Sequence, residues 1–128
     1  MSYRHIIGGM IVCACAAFLS GSNASAAGAL ALGRGDGAVW YGVNSGSGSI
    51  GEARANAMRR CYRHGPCHIA TVFWNKCFAL ALQGEGHDGY GWAARDFEGA
   101  AQREAMRSCE SDGLPCRIEF SACDRAGR

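Results

Sequence analysis

The hydrophobic positions fall into two rhythms that recur in the same order. Ala29-Leu30-Ala31-Leu32 returns as Ala79-Leu80-Ala81-Leu82, and an aromatic segment follows each, 38–43 and 89–93. A glycine-containing turn separates each apolar segment from its aromatic partner, which predicts a strand pair in both places. The rhythm then changes. Ala53, Ala57, Met58 and Cys61 fall three and four residues apart, as do Ala101, Ala105, Met106 and Cys109. That spacing puts small side chains on one face of a helix, where they permit close approach to a sheet. Ser49 and Glu52 form a capping box at the start of the first helix, Asp96 is the expected N-cap of the second, and Gly65 and Gly113 supply the stops. A third strand leaves each helix, over 68–75 and 117–122. In the latter, Ile118, Phe120 and Ala122 alternate with Arg117, Glu119 and Ser121, the period of a strand with one wet face.

These elements repeat with an offset of 46 to 50 residues. Tyr41-Gly42-Val43 aligns with Tyr90-Gly91-Trp92, Ala57-Met58-Arg59-Arg60-Cys61 with Ala105-Met106-Arg107-Ser108-Cys109, and Cys67 and Cys77 with Cys116 and Cys123. The expected architecture is α+β: two tandem ββαβ units, about 27–77 and 78–128, forming a small antiparallel or mixed sheet with two helices. One unit of about 50 residues buries too little apolar surface to stand alone, so the two are expected to share one core.

Upstream of the repeats the pattern is that of an export signal. Arg4 lies in a short n-region, an apolar run follows from Ile6 to Leu19, and Ala24-Ser25-Ala26 has the A-x-A cleavage form. The run has 14 residues, short of the ~20 that span a bilayer. Residues 1–26 are therefore expected to be removed. That predicts a secreted or periplasmic protein of the bacterial type, with no stable membrane span once the signal is gone.

Cysteine usage fits that compartment. Cys13 and Cys15 leave with the signal, and Cys61, Cys67, Cys77, Cys109, Cys116 and Cys123 remain. Six cysteines in a short exported domain imply a disulfide framework. The repeat narrows the pairings, because equivalent cysteines should pair equivalently. This favours Cys61–Cys67 and Cys109–Cys116 within the units, leaving Cys77–Cys123 as a bond between the halves. Cys61, His64, Cys67 and His68 would also suit zinc. The oxidising compartment, the unfamiliar spacing, and Asp112 and Arg117 at the corresponding places of the second unit argue against a metal.

Charge excludes one class of partner. The formal net charge is +2, with 13 basic and 11 acidic residues, and 12 of the 13 are arginine. There is no basic stripe of the kind nucleic-acid binders use. Gly33-Arg34-Gly35-Asp36-Gly37 resembles a phosphate loop but lacks the Lys-Ser/Thr and the following helix, and no cofactor fingerprint is present.

The combined pattern resembles the family of exported bacterial proteins known as "domain of unknown function 4189". The residues that carry the resemblance are Glu52, Ala53, Ala55, Ala57 and Cys61 on the first helix, the following Cys67, Phe73-Trp74-Asn75-Lys76-Cys77, Phe78-Ala79-Leu80-Ala81, Gly89-Tyr90-Gly91-Trp92 and Cys109. The resemblance covers nearly all of 27–128. It implies a duplicated α/β domain and export; no general activity attaches to the family, so it carries over no catalytic residues.

Two function classes follow. Trp40, Tyr41, Trp74, Tyr90 and Trp92 lie on or beside strands and cannot all point inward, so an exposed aromatic patch would make the domain a binding module for an envelope or secreted protein or a glycan. Alternatively, His87-Asp88 in the second glycine loop, with Glu85 nearby, offers a histidine beside an acid, the elements of a small hydrolase. The binding module is the favoured reading and the enzyme the disfavoured one.

Overall fold

The computed structural model describes residues 26–124. The segment read as an export signal lies outside the described residues, except for Ala26. Six strands and two helices appear in the order β1 (Ala27–Gly35), β2 (Ala38–Ser47), α1 (Ile50–Tyr62), β3 (His68–Trp74), β4 (Cys77–Gln83), β5 (Tyr90–Arg95), α2 (Glu98–Cys109) and β6 (Cys116–Cys123), with a 3-10 turn over 110–112. The chain is α+β and consists of ββαβ twice. The strands form two sheets of three, ordered β2-β1-β3 and β5-β4-β6, and every pair is antiparallel.

The alternation in Ala29-Leu30-Ala31-Leu32 decides the layering. Side chains alternate faces along a strand, so the alanines face one way and the leucines the other. Ala27, Ala29 and Ala31 pack against Ala53, Ala57 and Cys61 of α1, while Cys77, Ala79 and Ala81 pack against Ala101, Ala105 and Cys109 of α2. Leu30, Leu32, Val43 and Phe73 of the first sheet meet Phe78 and Leu80 of the second. The layers therefore run helix, sheet, sheet, helix, and the two units share the sheet-to-sheet core. Burying each of Leu30, Leu80 and Phe78 completely contributes about 1.5–3 kcal/mol.

Small residues set how closely each helix sits. A Cβ on Gly42 would lie 2.1 Å from the Ala57 carbonyl oxygen, and one on Gly91 would lie 2.3 Å from that of Ala105. Both glycines occupy the same place in their units, where helix backbone meets strand backbone. The sheet-to-sheet contact is not symmetric. Gly28 lies beneath Phe73, and Phe73 stacks on Phe78 with centroids 4.6 Å apart and planes within 4°. In the second unit the large residue, Phe78, is on the central strand and the small one, Ala122, is opposite it.

Three disulfides are present: Cys61–Cys67, Cys109–Cys116 and Cys77–Cys123. The first two tie each helix end to the strand that follows. The third departs from the expectation of a bond between halves. Cys77 opens β4 and faces Cys123 directly across the β4–β6 ladder, so the bridge lies wholly within the second sheet. Cys77 and Cys123 are not equivalent positions of the repeat. The residues that match them in the first unit are the ladder pair Ala27 and Trp74. The backbone confirms this alignment: Asn75 N–H donates to the Ala26 carbonyl and Asp124 N–H to that of Lys76, each at 2.9 Å. The second unit thus starts at Cys77, not after it.

The Ser49 hydroxyl accepts from the Glu52 amide and caps α1. For α2 the N-cap is Phe97 rather than Asp96. The Asp96 carboxylate is instead held by the Lys76 ammonium at 2.6 Å, a connection from the start of β4 to the start of α2.

Candidate functional site

The first hairpin turn carries none of the phosphate-loop geometry its glycines suggested. Gly35 pairs with Ala38, and Asp36 and Gly37 take positive φ of 52° and 72°, a tight two-residue connection. Its tip touches the second unit: a Cβ on Gly37 would lie 2.8 Å from the Gly86 carbonyl oxygen. Two recesses open on either side of this junction.

The larger, about 530 Å³, runs along β2, from the end of α1 on one side to Phe120 of β6 on the other. Val39, Trp40, Tyr41, Gly42 and Val43 supply the strand side, and Arg60, Arg63 and His64 the helix side. Among the described residues β2 is an edge strand, paired only with β1. All three basic residues are exposed, and the Arg60 guanidinium donates to the Val43 carbonyl at 2.5 Å. The result is a groove with an apolar, partly aromatic wall and a cationic rim.

Basic residues complement a helix C-terminus, and this rim sits at the end of α1. The repeat supplies a comparison. Aligned on Cys61 and Cys109, Arg60, Arg63 and His64 correspond to Ser108, Ser111 and Asp112. The second unit ends its helix differently, at Cys109 with a 3-10 turn over 110–112 closed by Gly113, and carries none of these three side chains.

Two aromatic residues of this groove have structural duties. Trp40 covers Gly33 and Gly65, and its indole N–H donates to the Pro66 carbonyl at 3.0 Å, tying β2 to the loop after α1. In the second unit the size relation is reversed. Gln83 fills the space over Gly89, accepts from its N–H at 3.1 Å and donates to both oxygens of Asp112 at 2.8 and 2.7 Å. That amide, with the Leu114 backbone N–H, holds the Asp112 carboxyl below the usual carboxylate range. Tyr41 crosses between units, donating to Glu119 Oε1 at 2.9 Å. Burial, then the Glu119 carboxylate, pushes its phenol up to about 12.

The smaller recess, about 330 Å³, is walled by the first hairpin tip, the loop after β4 and Arg117 and Glu119 of β6; it shares Val39 and Tyr41 with the groove. His87 lines it beside Glu85, whereas Asp88 is exposed and outside the lining. Arg117 pairs with Glu119 at 3.4 Å. No serine, threonine or cysteine lines this recess, and all six described cysteines are in disulfides. Cys61 and Cys67 are bonded to each other, so neither offers a thiolate to a metal.

The five aromatic residues singled out in the sequence do not gather in one place. Trp40 and Tyr41 line the groove, on opposite faces of β2. Trp74 is 40% exposed at the end of β3, on the other edge of the first sheet. Tyr90 and Trp92 pack against the sheet-to-sheet core, with the Arg34 guanidinium 6.0 Å from the Tyr90 ring centre. Sequence reasoning weighed His64 only as a zinc ligand and passed over Arg60, Arg63 and Phe120 as site residues. The signal was available in the repeat itself, as two arginines and a histidine present in one copy and replaced in the other.

No helix among the described residues is long and apolar enough to cross a membrane. No curated protein and no solved structure matches the chain. The profile described as "Domain of unknown function (DUF4189)" matches residues 27–123, the whole of the two-unit fold with its three bridges, and the chain belongs to that family.

Proposed function

We propose that the protein is an exported, non-enzymatic binding module of the envelope or medium, and that the groove along β2 is its binding site. The observation that carries this reading is the divergence of the repeat: Arg60, Arg63 and His64 stand where the second unit has Ser108, Ser111 and Asp112. Two exposed guanidiniums and an imidazole beside an apolar wall, all three absent from the second unit, suit a surface that meets a partner. The sign of the guanidiniums selects an anionic partner, and Trp40, Tyr41 and Phe120 supply the apolar contact that turns attraction into affinity. Three disulfides in a domain of this size support an oxidising compartment.

The test is affinity capture with purified mature protein from envelope extract and culture filtrate, beside the triple variant Arg60→Ser, Arg63→Ser, His64→Asp. Those replacements are the second unit's own residues, so the variant is expected to fold. A partner, protein or glycan, held by the parent and lost from the variant supports the reading. Equal capture by both removes the groove from consideration.

A further inference from the structure

Resting on that binding reading, we infer that the groove takes an extended acidic segment of a partner protein, which adds as a fourth strand to the outer edge of β2. The groove follows five consecutive strand residues, 39–43, about 17 Å of extended chain at ~3.4 Å per residue. β2 has a strand partner on one side only. Its other side carries backbone N–H and C=O groups that no strand among the described residues satisfies, the template on which strand addition works. The Arg60 guanidinium already takes one backbone acceptor of this strand, the Val43 carbonyl. A side chain parked there guards the edge in the free protein. When a partner strand's N–H replaces it, the guanidinium is released beside the new strand and is free to pair with a carboxylate.

Arg63 sets the sign of that strand, with His64 beside it. Both are exposed on the helix side of the groove, next to Arg60. Side chains of an added strand alternate between faces, so acidic residues two apart would all point to the α1 side and meet the Arg60 and Arg63 guanidiniums, with His64 beside them. Apolar residues between them would face Tyr41 and Phe120. The fitting segment is therefore extended, with acidic and apolar residues alternating. A polyanionic glycan would satisfy the charges, but it has no regular array of amide donors and acceptors for the edge.

The experiment is selection of random twelve-residue peptides on the full mature protein with its disulfides intact. The triple variant and the single variant Arg63→Glu are run in parallel, and thermal melts establish that each variant is folded. Selected peptides are expected to be net acidic with alternating apolar residues, and to bind the parent at least tenfold more tightly than either variant. Methylating alternate backbone nitrogens of a selected peptide should abolish binding in one phase of the alternation and spare it in the other. Peptides that lack acidic residues, bind the variants equally well or tolerate methylation in both phases would overturn strand addition, as would an empty selection. Polygalacturonate is the second probe. If it is retained by the parent and not the variants while the selection is empty, the groove remains a binding site and only the peptide inference falls. If polygalacturonate and the peptides both fail to bind, both readings fall.

Discussion

Removing the Cys77–Cys123 bridge tests the assignment of that bond to a single unit. The cross-link has a sequence separation of 46, against 6 and 7 for the others. On the loop-entropy account it stabilises by about 4 kcal/mol and each short bridge by about 2.4 kcal/mol. Replacing both cysteines with alanine also removes a buried sulfur beside Ala79, adding about 1 kcal/mol. The double variant should therefore lose about 5 kcal/mol, much of the 5–15 kcal/mol typical of a domain. It should nevertheless fold, because the equivalent pair in the first unit, Ala27 and Trp74, is held by ladder hydrogen bonds without a covalent link. Urea titration followed by tryptophan fluorescence gives the size of the effect. One transition is expected, since Leu30 and Phe73 cannot stay buried without Phe78 and Leu80, and its slope should rise as the unfolded chain expands. Hydrogen exchange gives the location: protection should fall first in β6 and β4. A loss smaller than that from deleting either short bridge would refute the reasoning. So would separation of the two sheets as the first event.

Three further outcomes follow from particular contacts. Gly42→Ala and Gly91→Ala should each cost about 3 kcal/mol or more, because the new methyl meets helix backbone and not a yielding side chain; a thermal melt of either variant that matches the parent would show that the close helix approach is wrong. One tyrosine should titrate near 12 by ultraviolet absorbance and disappear from the titration in Tyr41→Phe. A raised phenol means that stability is complete below the ordinary value near 10 and lost as pH rises through about 12, a loss Tyr41→Phe should lack. Asp124 is buried, and desolvation raises its pKa against the Gly46 amide and Ser45 hydroxyl that favour the charge. Its contribution is thus fully present below pH 3.8 and falls as pH rises through the folded value. The stability of Asp124→Asn relative to the parent should improve from pH 3 to pH 7, and a flat difference would contradict it.

The sequence by itself determined the units: the two-residue alternation of alanine and leucine, the helical spacing of small residues and the order of the cysteines are local patterns with local physical causes. It also pointed to each helix end being pinned to the next strand, because a repeated fold should pair equivalent cysteines equivalently. Tertiary structure decided the rest. Whether six strands make one sheet or two depends on which faces of β1 and β4 find each other, and Leu30 carries no mark of whether Leu80 lies beside or opposite it. The frame of the repeat was equally hidden. Cys77 and Cys123 look equivalent as the last cysteine of each half, and only the ladder, pairing them as Ala27 and Trp74 are paired, shows them to be opposite ends of one unit. The candidate site combines β2, the last turn of α1 and Phe120 of β6. Residues so far apart in the chain become neighbours only when the sheets stack, so their charges had no shared address until the fold supplied one.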